Sequence, residues 1–123
     1  MPYETVFDRG FRKLDAWKLA HELTLKIYRI TEKFPQKEMF GMTDQVRRAS
    51  SSIEAQIAEG SRIDTTLHRK SFYVRAYASA AEVDTFLELA RDLNYLTIDE
   101  HKELIVHLNK ASACLFGLIK SCQ

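Results

Sequence analysis

The chain is short of the residues that interrupt regular structure, with only 4 Gly, 2 Pro and 2 Cys among 123. So little glycine and proline excludes a collagen-like repeat, and the balance of 46% hydrophobic and 28% charged residues excludes a disordered chain. Long apolar runs are missing as well. None approaches the roughly 20 residues that span a bilayer, and Met1 to Arg12 mixes both charge signs without a signal-peptide core. The expectation is a soluble, cytoplasmic protein of one domain. Cys114 and Cys122 stand eight apart on one expected helix, about 12 Å between Cα atoms. A disulfide reaches only about 7 Å, so both are expected as thiols acting as small hydrophobes, in keeping with a reducing compartment.

What the chain does have is helical periodicity, with apolar and small residues recurring every three or four positions. Four helices are expected, over about 15–34, 42–60, 65–94 and 98–121, preceded by an arm over 1–13. The first starts at Asp15 as N-cap, turns Trp17, Ala20, Leu23, Ile27, Ile30 and Phe34 inward, and stops at Pro35. The second presents Met42, Val46, Ala49, Ile53 and Ile57, and Gly60 is placed to leave it in a left-handed conformation. The third, capped by Asp64 or Thr65, presents Phe72, Ala76, Ala80, Val83, Leu87 and Ala90. Thr97-Ile98-Asp99-Glu100 is a capping box that opens the fourth, whose stripe is Leu104, Leu108, Ala111, Leu115 and Leu118. Short connections make consecutive helices antiparallel neighbours. The fold class is therefore all-α, an up-down-up-down four-helix bundle occupying 14–123. The arm is expected to order by packing on a neighbour through Tyr3, Phe7 and Phe11.

Net charge is only +1, but it is uneven: residues 9–75 hold 14 Lys/Arg against 8 Asp/Glu, and residues 76–123 hold 4 against 7. Such a split can steer self-association or draw in an anionic partner, and it also fits a pair of solvated faces. The second helix is polar beyond what a bundle requires. Ser50, Ser51 and Ser52 are mediocre helix formers in a row, and Gln45, Ser52, Gln56 and Glu59 border the apolar stripe. Buried amides need partners, and Ser79 and Glu82 on the third helix can supply them. A hairpin folded about residue 62 sets 45 against 79–80, so a cluster of Gln45, Arg48, Ser79 and Glu82 is expected. It serves either helix register or an exposed binding or subunit surface.

Phe34-Pro35, Phe40-Gly41-Met42-Thr43, Gln45-Val46-Arg47-Arg48-Ala49, Ser52-Ile53, Ile57-Ala58-Glu59-Gly60 and Arg62 together resemble the 23S rRNA-intervening-sequence protein family. Ala16-Trp17-Lys18-Leu19-Ala20, and Ser79 with Glu82, Asp84 and Thr85, extend the resemblance over about 12–119. It implies a left-handed antiparallel bundle, a ring-shaped homopentamer and no catalytic activity or cofactor. Genes of the family lie in inserts within bacterial 23S rRNA genes and elsewhere in chromosomes. More distantly the chain resembles the accessory proteins of diversity-generating retroelements, which bind a reverse transcriptase and nucleic acid through a basic barrel. It departs from the family at Gln56, where Asn is usual, and at Ala78, where Gly is common.

Enzyme chemistry finds little support. A carboxylate-bridged di-iron site needs Glu-x-x-His pairs, and the residues three before His21, His68, His101 and His107 are Lys18, Thr65, Ile98 and Leu104. No Cys/His spacing suits zinc, and no phosphate loop is present. Arg62 and His68 resemble the Arg-x(4–6)-His motif of HEPN-type ribonucleases, a two-residue pattern that chance produces often. For RNA or DNA the candidates are Arg47, Arg48, Arg62, Arg69, Lys70 and Arg75, a patch that a ring of copies would multiply. The leading expectation is a non-enzymatic, self-associating bundle that binds nucleic acid or a ribonucleoprotein partner. The alternatives are a purely structural protein–protein assembly module and the ribonuclease.

Overall fold

The computed structural model describes residues 5–7 and 10–122. Four helices account for most of them: α1 (Asp15–Ile30), α2 (Met42–Ser61), α3 (Thr66–Asp92) and α4 (Ile98–Ser121). Each packs on its neighbours in sequence and α4 returns against α1, which closes an antiparallel bundle. Leu23, Ile27, Val46, Ile53, Ile57, Val83, Leu87 and Leu115 fill the centre at 1% exposure or less. Burying each such side chain contributes roughly 1.5–3 kcal/mol. Cys122 is buried and Cys114 half-buried, both as free thiols. Tyr3 of the expected arm lies outside the described residues, while Phe11 opens a 3-10 turn and packs its ring 5.2 Å from that of Trp17.

The helix ends follow local chemistry. Asp15 is not the cap expected of it. Leu14 takes that position and Asp15 falls in the first turn, where its charge favours the helix dipole. At the other end α1 tightens into a 3-10 turn over Thr31–Lys33, and Phe34 goes extended as a residue before proline must. The Glu38 carboxylate accepts the Met42 amide at the start of α2 (3.2 Å) and the Tyr95 hydroxyl from the α3–α4 connection (3.0 Å). One side chain thus joins two loops.

Past the end of α3, Asn94 has φ 64°, in the left-handed region. The Tyr95 amide reaches the Ala90 carbonyl (2.8 Å) and the Asn94 amide that of Arg91 (3.0 Å), a Schellman ending with Asn in the place glycine usually holds. At the head of α4 the capping box is formed: Thr97 Oγ1 accepts the Glu100 amide (3.1 Å) and the Glu100 carboxylate accepts the Thr97 amide (2.8 Å). Lys33 pairs with the same carboxylate.

Gly60 departs from expectation. It stays helical inside α2, and none of the described glycines has positive φ. Its need is closeness, because a Cβ there would lie 2.9 Å from Tyr73 Cε1 and 3.0 Å from Phe72 Cβ. The vacated volume takes the Tyr73 ring, which is 4% exposed, so Tyr73 fills the core position expected of Phe72. Phe72, Trp17, Ile30 and Leu118 are half-buried at the edge of the core.

Two sets of variants test these assignments by urea denaturation. Gly60→Ala should destabilise by about 1–3 kcal/mol through overpacking, whereas Gly117→Ala, with nothing within 4 Å of the new Cβ, should stabilise by about 0.5–1 kcal/mol. Thr97→Ala should remove about 1 kcal/mol of capping. Lys33 first, then the Thr97 amide, hold the Glu100 carboxyl below its ordinary value of 4.5. A depressed carboxyl stabilises the fold above the unfolded pKa, and that gain is lost as pH falls through the folded one. Glu100→Gln should therefore shallow the decline in stability on acidification below about pH 4.5.

Candidate nucleic-acid interface

The seam between α2 and α3 carries the polar residues singled out in the sequence. Ser52 Oγ and Ser79 Oγ lie 3.1 Å apart across it. The hairpin therefore folds about residues 65–66, not 62, and the residue facing Ser79 comes seven places, or two turns, further along α2 than expected. The helix ends at this turn differ from expectation by only one residue each, α2 running to Ser61 and α3 beginning at Thr66; the register is set instead by the packing of Tyr73 and Phe72 against Gly60. The expected cluster is accordingly not drawn together. Gln45, Glu59 and Glu82 are exposed, and Arg48 pairs within its own helix with Asp44 (3.0 Å). The Gln56 side-chain oxygen is buried in the bundle without a hydrogen-bond partner.

The serine run now has a local account. Ser50 and Ser51 return their hydroxyls to the carbonyls of Arg47 (3.0 Å) and Arg48 (3.1 Å), which lets Ser50 sit at 0% exposure. Ser52 alone of the three turns its hydroxyl to another helix.

The six basic candidates divide into two groups. Arg47 and Arg48 lie near the start of α2, and Arg62, Arg69, Lys70 and Arg75 surround the corner where α2 gives way to α3. Arg47 and Arg62 are separated by about 22 Å of helix rise. Arg47 is committed to the end of α1. Its Nε donates to Thr31 Oγ1 (2.8 Å), its Nη2 donates to the Tyr28 carbonyl (3.2 Å), and its guanidinium lies 4.7 Å from the Tyr28 ring centre. A cation there answers the unpaired carbonyls of the helix terminus.

At the corner, Arg62 covers the Phe7 ring (5.2 Å) and Arg75 the Phe72 ring (4.9 Å), both guanidinium groups remaining exposed. Arg69 donates to the Ile63 carbonyl (3.2 Å) and lines a cleft of about 330 Å³ with Ser61, Tyr73 and Leu118. Burial pushes the Tyr73 hydroxyl pKa up, so it is a neutral donor there. His68, exposed, sets its ring 6.0 Å from Phe72 while Arg62 sits against Phe7. The two halves of the ribonuclease-like pattern thus engage different aromatic rings.

One contact had no separate signal in the sequence. His21 Nδ1 lies 2.6 Å from Glu54 Oε2, and its ring stacks on Trp17 at 4.8 Å and 10°. The pairing joins α1 to α2 and gives the Ala16-Trp17 block a structural reason. Among the described residues no group of three or more His, Cys, Asp or Glu could hold a metal ion, and no helix is long and apolar enough to cross a membrane.

The family model for the 23S rRNA-intervening sequence protein matches residues 12–117, from the 3-10 turn before α1 almost to the end of α4. The chain belongs to this family. No curated protein matches it. In this family member Arg47 is a fastening and Arg48 a solvent-facing charge, which a stability measurement separates. Arg47→Ala should cost about 1–2 kcal/mol, as loss of charge-assisted hydrogen bonds does. Arg48→Ala, at an 80% exposed side chain, should change stability by less than about 0.5 kcal/mol.

Proposed function

We propose that this bundle is a non-catalytic, self-associating protein that binds nucleic acid through the corner formed by Arg62, Arg69, Lys70 and Arg75. The observation that carries the reading is their placement at one end of the molecule, Arg62 at the C-cap of α2 and the other three, on different sides, within the first three turns of α3. Two of these guanidinium groups are backed by aromatic rings, which fix their position without neutralising their charge. A single copy with net charge +1 binds phosphate weakly at physiological salt, so the function requires several copies. A closed ring of five presents five such corners to one polymer, and avidity then supplies what each corner lacks. A purely structural assembly role is the second reading, favoured by the exposed apolar residues along α3, including Leu67 at 82% and Val74 at 47%.

Fluorescence anisotropy with a labelled structured RNA tests the first reading. Affinity should fall at least about tenfold between 50 and 200 mM salt, as phosphate neutralisation predicts. The Arg62→Ala/Lys70→Ala/Arg75→Ala variant should weaken binding by a similar factor at unchanged helicity, while Arg48→Ala leaves it intact. Binding indifferent to salt and to the triple substitution would leave only the assembly role. Light scattering on the same samples should give a pentamer, and a monomer at micromolar concentration sinks the ring.

A further inference from the structure

α3 is apolar on two sides. Its inner side buries Tyr73, Ala76, Ala80, Val83, Leu87 and Ala90. On the side away from the core, Val74, Ala78, Ala81, Thr85 and Leu89 follow one another at three- and four-residue steps and Leu67 stands two turns before Val74, all exposed. With Ser71 they make a ridge that carries no charge from 67 to 89. Its two hydroxyls are satisfied within the helix, Ser71 by the His68 carbonyl (2.6 Å) and Thr85 by that of Ala81 (3.0 Å). A helix apolar on opposite sides belongs between two neighbours, and this chain supplies a neighbour on one side only.

The charges flanking the ridge identify the other neighbour. Lys70 and Arg75 lie in the first half of α3, and Glu82, Asp84 and Glu88 in the second. Seen around the helix, Arg75 and Glu82 border the ridge on the α2 side, where Ser79 meets Ser52. Lys70 and Glu88 border it on the α4 side, where the Tyr77 ring meets Phe116 at 6.1 Å. A parallel copy of the helix would set like charge against like. An antiparallel copy centred near residue 79 sets Arg75 opposite the second copy's Glu82 on one flank, and Lys70 opposite the second copy's Glu88 on the other. Both pairings centre within half a residue of that midpoint, and twofold symmetry forms each of them twice. At the same centre Ala78 faces the second copy's Ala81, small enough for the axes to approach to about 8 Å. Val74 meets the methyl group of Thr85.

We infer that the outer ridge of α3 is a self-recognition surface on which a second copy of this chain docks antiparallel about Ala78 and Ala81. The contact is isologous, unlike the head-to-tail contacts that close a ring. It therefore goes beyond the pentamer: alone it makes dimers, and added to a ring it joins rings in pairs.

Single cysteines in the full chain test it, with the wild type as control because its own Cys114 and Cys122 are half-buried and buried. Ala78→Cys should form a disulfide-linked dimer on mild oxidation. Leu67→Cys should not, since the antiparallel register holds the two copies of that residue about 36 Å apart. A linked Leu67→Cys dimer, or no link at Ala78→Cys, overturns the proposal. Lys70→Glu should weaken the dimer about tenfold by setting like charges together, and adding Glu88→Lys should restore it; absence of rescue counts equally against the register. Light scattering separates this contact from the ring. A pentamer with no Ala78→Cys link refutes the ridge and keeps the ring, whereas a linked dimer that never reaches five does the reverse.

Discussion

Everything distinctive in this bundle depends on how closely α2 and α3 approach. At Gly60 there is no room for even a methyl group, because Tyr73 and Phe72 stand at 2.9–3.0 Å from where it would be. Two turns up the seam, Ser52 and Ser79 touch through their hydroxyls. Small residues on one helix admit a large ring from the other, and close packing then leaves a single register that satisfies both contacts. From that register follow the burial of Tyr73, the placing of the basic corner, and the outward aspect of the α3 ridge. Gly60 is thus a packing residue, although it stands one place before a helix end, where glycine more often serves as a terminator.

The arginines of the molecule are engaged in different ways. Arg47 bonds α1 and lies on Tyr28, so its charge is spent on a helix terminus. Arg62 and Arg75 rest on aromatic rings and keep their charge toward water. Neighbouring arginines of one sequence motif can thus do unlike work. In Arg47-Arg48, adjacent positions point about 100° apart around the helix, one toward α1 and the other toward solvent.

Periodicity made the four helices legible to within a few residues, because apolar spacing and the capping box are local signals. The end of α1 is the clearest miss, four residues early, since Thr31–Lys33 tightens before Pro35 is reached. The pairing of α2 with α3 was less legible. Whether a glycine terminates a helix or receives a ring from another helix depends on what approaches from elsewhere in the chain, and at Gly60 it is that contact, not the helix ends, that sets the register. Tyr73 and Phe72 are adjacent and both aromatic, so which one turns inward is decided by the space opposite Gly60. The basic candidates were identifiable by residue type, but their separation into a fastening and a corner is tertiary information.

The two ends of the bundle are built differently. At one, Glu38 bonds both the head of α2 and Tyr95, Glu100 holds Thr97 and Lys33, and Asn94 closes α3. These are directional bonds that tolerate little displacement. At the other, Arg62 over Phe7, Arg75 over Phe72 and the tilted pair of Phe11 and Trp17 are ring contacts, joined by the Arg69 hydrogen bond to the Ile63 carbonyl and by Tyr73 packed against Gly60. The molecule is therefore fastened differently at its two ends: hydrogen bonds between loops tie one, and rings packed on glycine and under cations hold the other. Arg62 and Arg75 stand at the end held by packing, so the rings beneath them fix where their charge is presented.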